Sequence, residues 1–201
     1  MLAIGRGVEP LKSDADSHHV YTRAREESGF GLLELLMAMV MLNVGVLAII
    51  AAFSSGNAAL ARASQVSTAT ALAEKQLESY RGLIYDNILF TTTEWNAAIA
   101  DSTYTADTAY TSNMLNPVSP KALVGTLSSC PTSVPTTSCD PSYTTTGPDH
   151  RSYRIDTYLY YDAPSGGSQL KSITVVARPA TAPARVFARL SSTFDSSTNP
   201  T

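Results

Sequence analysis

Charge is scarce in this chain. Asp, Glu, Lys and Arg make up 15% of its 201 residues, and 17 acidic against 14 basic side chains leave a net charge of −3. A nucleic-acid partner usually leaves a basic stripe as its footprint, and there is none, so no nucleic acid is expected. Histidine, the usual general base, occurs three times. His18 and His19 lie near the start, and His150 stands beside Asp149 in a Pro-Gly loop, where a solvated turn is expected rather than half of a triad. The sequence has no glycine-rich phosphate loop, no clustered metal ligands and no G-x-S-x-G element. Neither an enzyme nor a cofactor or metal is expected. Two cysteines are too few for a disulfide scaffold but enough for one staple.

Apolar residues are concentrated in one place. Phe30 to Phe53 reads FGLLELLMAMVMLNVGVLAIIAAF, 24 residues with one ionisable group, Glu34. As a helix this run covers roughly 36 Å, enough to cross a hydrocarbon core with some tilt. A buried core helix can be as apolar, but rarely for so long in so small a chain. A secretory signal would have a shorter apolar region and a small-x-small cleavage site, which does not stand out here. A transmembrane part over 30–53 is therefore expected.

The helical pattern continues past the apolar run. From Ser54 to Arg81 there is no proline and only Gly56 as a glycine, while Ala, Leu, Glu, Lys and Gln dominate. Ala59, Ala63, Val66, Thr70, Ala73, Leu77, Tyr80 and Ile84 recur at three- and four-residue steps, which makes one mostly apolar face. Arg62, Gln65, Lys75, Glu78 and Arg81 fall mainly on other faces. The pattern predicts one helix over 30–81, about 78 Å long, apolar all round in its first half and amphipathic in its second. The amphipathic stripe needs a cover, and residues 82–201 are the available one.

Gly29-Phe30-Gly31-Leu32-Leu33-Glu34-Leu35-Leu36 resembles the prepilin signature, in which a glycine precedes an aromatic residue and a glutamate occupies the fifth place after the cut. The charge-free run follows at once. Leu42-Asn43-Val44-Gly45-Val46-Leu47 and Ala73-Glu74-Lys75-Gln76-Leu77-Glu78 look like the corresponding stretches of PilV-like minor pilins. The resemblance is clear over 29–86 and weak beyond. It implies a type IV pilin-like protein with a prepilin leader at 1–29. A prepilin peptidase and methyltransferase would cut between Gly29 and Phe30 and methylate the new amine of Phe30. It further implies assembly with other pilin subunits through an inner-membrane platform, with Glu34 pairing to a neighbour's amine.

Glu34 also has a reading of its own. A lone carboxylate in an apolar helix costs a few kcal/mol on insertion scales and normally has a partner. The α-amine of Phe30, four residues back, would lie on the same face. The alternative is a carboxylate near the interface that stays hydrated or protonated. The leader departs from the family pattern: Glu26, Glu27 and Ser28 follow Arg23 and Arg25, Gly31 stands where threonine is more usual, and 29 residues is long. Initiation at Val20 would leave a compact ten-residue leader. Arg23 and Arg25 precede the span and the next basic residue is Arg62, so a single pass through the cytoplasmic membrane is expected, with the N-terminus on the cytoplasmic side and the head outside, and then a place in the pilus at the cell surface or in the periplasm.

The head, 82–201, is uneven to read. Ile84 to Phe90 is expected beneath the helix. Thr91 to Asn116 reads as irregular loop with a short helix around Thr93–Ala100, with Tyr104 and Tyr110 as isolated aromatics and Asp101 and Asp107 solvated. Cys130 and Cys139 bracket a Ser/Thr/Pro-rich loop and are expected to pair in an oxidising compartment, since their spacing fits no zinc pattern. Tyr153, Ile155, Thr157, Leu159 and Tyr161 alternate with Arg154, Asp156, Tyr158 and Tyr160. A turn at Pro164–Ser168 and a strand from Leu170 to Ala177 complete a hairpin, and Arg185 to Ser192 reads as a third strand. One face of this sheet would cover the helix. Tyr158, Tyr160 and Tyr161 read as strand packing, with an exposed pair open to adhesion. Ser191 to Thr201 reads as frayed.

The expected fold class is α+β, pilin-like: one long N-terminal helix packed on a small antiparallel sheet. The expected function is a minor pilin, a structural subunit of a type IV pilus, first in membrane lipid and then in the filament. A type II secretion pseudopilin is the near alternative. An uncleaved single-span protein with an extracytoplasmic binding head is the other class.

Overall fold

The computed structural model describes residues 31–116, 121–162 and 170–196. The Gly29–Phe30 junction and the expected turn at Pro164–Ser168 lie outside them. The chain divides into two units between Ala51 and Ala52, and its fold is α+β.

Helix α1, Leu32–Arg81, is 50 residues long. Through Phe53 every described residue of it is exposed, including Met41, Leu47 and Phe53. It is one helix long and apolar enough to cross a membrane. Its end is built from its own backbone: Gly82 N–H donates to Glu78 O at 3.2 Å and Leu83 N–H to Tyr80 O at 3.1 Å. Arg81 pairs with Glu78 in the last turn, where a cation suits the helix dipole.

In the second unit, α1 becomes buried from Ala69 onward through Ala73, Gln76, Leu77 and Tyr80. The expected stripe is thus covered only in its later part. Ala59, Ala63 and Val66 stay exposed, because the head first packs on α1 near Thr68, and Ile84, which lies beyond the end of α1, is exposed as well. Ile88 and Phe90 are fully buried beneath α1's core cluster, as expected.

The sheet has four antiparallel strands in the order β3-β4-β5-β6: β3 Ser142–Thr146, β4 Ser152–Asp162, β5 Leu170–Pro179 and β6 Ala188–Asp195. Odd-numbered residues of the central pair (Tyr153, Ile155, Leu159, Ile173, Val175, Ala177) pack with Ala69, Ala73, Leu77 and Tyr80 of α1. β6 starts three residues after the expected Arg185 and runs to Asp195, so Ser191 to Asp195 is strand rather than frayed tail. Leu190 and Phe194 pack against the core and hold it there. Residues 197–201 lie outside the described part. β3, with its polar sequence SYTTT, is an addition to the expected hairpin.

The larger difference is that the sheet is covered on both faces. Thr91 to Asn116 is mostly helical: α2 Thr92–Ala100, α3 Ser102–Thr105 and α4 Thr108–Thr111. Each starts on a side-chain cap, with Glu94 N–H donating to Thr91 Oγ1, Thr103 N–H to Asp101 Oδ1 at 2.7 Å and Ala109 N–H to Asp107 Oδ1 at 2.7 Å. Ala98, Tyr104 and Ala109 from this layer pack on the even-numbered Tyr158 and Val176. Two short segments complete the head: β1 Phe90–Thr91 pairs in parallel with β2 Thr126–Leu127, and α5 is Thr136–Cys139.

Candidate functional site

Three places concentrate polar chemistry: the first turn of α1, the disulfide loop against its packed half, and the even-numbered face of the sheet. Glu34 lies in the first turn, exposed, its N–H donating to Gly31 O at 2.8 Å. A carboxylate there is favoured by the helix dipole. Gly29 and Phe30, the expected processing residues, lie outside the described residues.

Cys130 and Cys139 are bonded, with Cα atoms 5.8 Å apart. The loop they close is fastened to α1 by polar contacts. Gln76 Nε2 donates to Thr137 O at 2.8 Å, Tyr80 OH donates to Ser138 O at 2.8 Å, and the Ser79 and Ser138 hydroxyls lie 3.0 Å apart. Tyr143 OH on β3 donates to Gln76 Oε1 at 2.9 Å. The buried amide of Gln76 thus has partners on both sides, which removes the penalty of an unmatched polar group. Burial raises the Tyr80 hydroxyl well above its ordinary value and, with Asp140 nearby, pushes Tyr143 up to about 12.

The even-numbered face carries an ion-pair network. Asp156, fully buried, accepts from Arg154 Nε at 2.7 Å, Arg178 Nε at 2.8 Å and Ser142 Oγ at 2.7 Å. Asp107 accepts a bidentate pair from Arg189 at 2.8 and 2.9 Å and a further bond from Arg178. Arg154 also reaches Asp101 at 2.5 Å. Desolvation works against charge on Asp107, but the Arg189 hydrogen bonds, the Ala109 N–H and both guanidinium charges outweigh it and hold its carboxyl below the ordinary range. Asp101 is lowered in the same way, with desolvation outweighed by Thr103 N–H and Arg154.

Asp107 is therefore buried rather than solvated, and Asp101 is committed to a cap and an arginine. A signal was present: an acid followed by Ser-Thr or Thr-Ala is a cap pattern, and Arg154, Arg178 and Arg189 sit at strand positions that need partners. Tyr104 and Tyr110 are not isolated either. Tyr104 is fully buried, stacks on Tyr158 at 4.4 Å between centroids and meets Trp95 and Tyr110 edge-on. Its hydroxyl donates to Thr157 O at 2.6 Å, and Tyr158 OH donates back to Tyr104 O at 3.0 Å.

The remaining candidates are separated. His150 is exposed, with a left-handed φ of 58°, while Asp149 accepts from Tyr153 OH at 2.7 Å. Tyr158 and Tyr160 are buried and Tyr161 is half-buried, so the three do not form an exposed pair. Lys171, missed in the sequence, is 2% exposed. Its ammonium donates to Tyr85 O at 2.6 Å and Ile88 O at 3.2 Å and lies 4.3 Å from the Tyr85 ring centroid. Desolvation lowers it to about 8, with Asp86 opposing. Among the described residues no group of three or more His, Cys, Asp or Glu is placed to hold a metal. No protein-family model matches the chain, and neither a characterised protein nor a solved structure matches it.

Proposed function

We propose that the chain is a minor pilin, a subunit that is anchored in the cytoplasmic membrane by α1 and then incorporated in a type IV pilus. The observation that carries this reading is the division of α1. Its apolar part is bare through Phe53, and its later part is packed under an antiparallel sheet from Ala69. A helix bare on all sides is suited to lipid first and to the helices of neighbouring subunits later. The Gly29–Phe30 junction, with Glu34 in register, supplies the processing and assembly residues. In this reading a prepilin peptidase cuts and methylates at Phe30, the N-terminus faces the cytoplasm before the cut, and the head faces outward. Glu34 pairs with the amine of an adjacent subunit, which offsets the cost of leaving lipid in one register. The same features serve a type II secretion pseudopilin.

The test is the mass of the mature N-terminus in cells with and without prepilin peptidase. A chain beginning at methylated Phe30 only when the peptidase is present is expected; an uncut leader in peptidase-competent cells would sink the pilin reading. Glu34→Ala should leave insertion and cutting intact and lower the protein recovered in sheared filaments.

A further inference from the structure

The β3–β4 turn and the β5–β6 loop lie at the same end of the sheet, where Tyr153 pairs with Pro179. A cleft of about 320 Å³ opens between them and α1. Small-molecule sites run from about 300 to 1,000 Å³, so it admits a small ligand. Arg151 and Arg185 line it, and no carboxylate among the described residues does. Arg185 is exposed, lies 5.6 Å from the Phe187 ring centroid and pairs with no carboxylate among the described residues. Arg151, also exposed, meets Asp149 only through Nε, at 3.9 Å, which leaves both terminal nitrogens of its fork uncommitted. Asp149 is itself taken up by Tyr153 OH and the Arg151 N–H. Gln65, Ser152 and Thr181 add an amide and two hydroxyls, side chains with no partner among the described residues. The backbone here is already committed: Ala180 N–H donates to Ser152 O at 3.0 Å, Ala182 N–H to Pro179 O at 3.2 Å and Arg185 N–H to Ala182 O at 3.0 Å. Lys121, Asp162 and Leu170, which adjoin residues outside the described part, meet at the far end of the sheet.

We infer that this cleft binds an acidic saccharide whose charge is a ring carboxylate. The two guanidinium groups hold the carboxylate by charge-assisted hydrogen bonds. Gln65, Ser152 and Thr181 both donate and accept, as a ring bearing several hydroxyls requires. Tyr153, Pro179 and Phe187 supply apolar surface for its C–H face. The contact with Phe187 restrains the Arg185 guanidinium, which lowers the ordering cost of binding. An acidic peptide fits less well, because its main chain would meet loop backbone that is already paired. A bare phosphate would leave the amide and the hydroxyls unused. The site belongs to the head alone and does not depend on the pilin reading.

The test uses the full chain in detergent micelles and two fluorescently labelled probes, trigalacturonate and a hyaluronan tetrasaccharide. Anisotropy should show saturable binding of at least one of them. Arg151→Gln and Arg185→Gln should each weaken it roughly tenfold, the worth of a charge-assisted hydrogen bond. Lys75→Gln, on α1 and outside the cleft, should leave it unchanged. Methyl esterification of the probe's carboxylates should weaken binding at least as much as either arginine change. Saturable binding of neither saccharide would remove the site. Equal loss in all three variants, or loss in none, would mean general charge attraction or a site elsewhere. Displacement of the probe by hexaglutamate or inorganic phosphate as readily as by unlabelled saccharide would mean a site for any anion. Each of these results overturns the proposal, and none of them bears on cutting at Gly29.

Discussion

The two halves of α1 share one backbone geometry and almost nothing else. Leu32 to Phe53 is apolar on every side but for Glu34 and Asn43, and every residue of it is exposed. From Ala69 to Tyr80 only one stripe is apolar, and that stripe is buried, with the buried Gln76 and the half-buried Ser79 tied to the disulfide loop. The first half is specified by composition, which makes it long and apolar enough to cross a membrane. The second half is specified by position, since each buried side chain answers a particular strand residue or loop carbonyl. Ala-for-larger changes should therefore separate the halves cleanly.

The largest loss of stability is expected from Tyr80→Ala. Deleting a fully buried aromatic that also donates to Ser138 O should cost about 4 kcal/mol, read by urea unfolding with Trp95, the single tryptophan, as probe. A loss under about 1 kcal/mol would show that the α1–sheet contact is plastic. Asp107→Ala comes next, at about 3 kcal/mol, because it leaves Arg178 and Arg189 short of a carboxylate in a largely buried place. Unchanged stability in that variant would contradict the network. Replacing both Cys130 and Cys139 by alanine should cost about 2–3 kcal/mol by freeing the loop in the unfolded chain. Exchange at Gln76 and Tyr80 should rise with it, and a protected α1 in the variant would separate the staple from the clamp.

A smaller effect is expected from pH. Lys171 has a folded value of about 8, below the ordinary 10.5, so above pH 8 the unfolded chain holds the extra proton and stability rises. Tyr143 and Tyr153 are raised from 10.0 to about 12, so above pH 10 the folded chain holds the extra protons and stability falls. Urea midpoints should climb from pH 8 toward 10 and then decline, and Lys171→Met should abolish the climb. A midpoint that is flat in wild type over that range would mean that the Lys171 ammonium is better solvated than its contacts imply. The smallest effect is Leu47→Ala, within about 0.5 kcal/mol for the head, since Leu47 is exposed. A larger loss would place an unseen cover over the first half.

How much of this was readable follows from period and length. The helix and the β4–β5 hairpin declare themselves, because a repeat near 3.6 and strict alternation persist over many residues. The second face of the sheet does not. Arg154, Asp156 and Tyr158 look like a solvent face, but Arg154 pairs with Asp101 and Tyr158 stacks on Tyr104, while Asp107 holds Arg178 and Arg189 from the same side. The layer that brings those acids, α2 to α4, is built partly of four-residue helices, too short for any periodicity. β3 escaped for a related reason: a polar strand gains its order from a ladder, and the ladder is nonlocal. The disulfide was legible from two cysteines in an otherwise cysteine-free chain. The loop's grip on Gln76 and Tyr80 was not, since its acceptors are backbone carbonyls, which carry no sequence signal.

Gly147 lies in the turn between β3 and β4, and a Cβ there would stand 2.7 Å from the Thr68 methyl of α1 and 2.9 Å from the Tyr153 ring. The turn therefore touches the helix with no thickness to spare, one residue before α1 becomes buried at Ala69. A methyl group added at this one position would act as a shim between turn and helix, prising the β3–β4 corner off Thr68 and loosening the seam just where α1 first becomes buried.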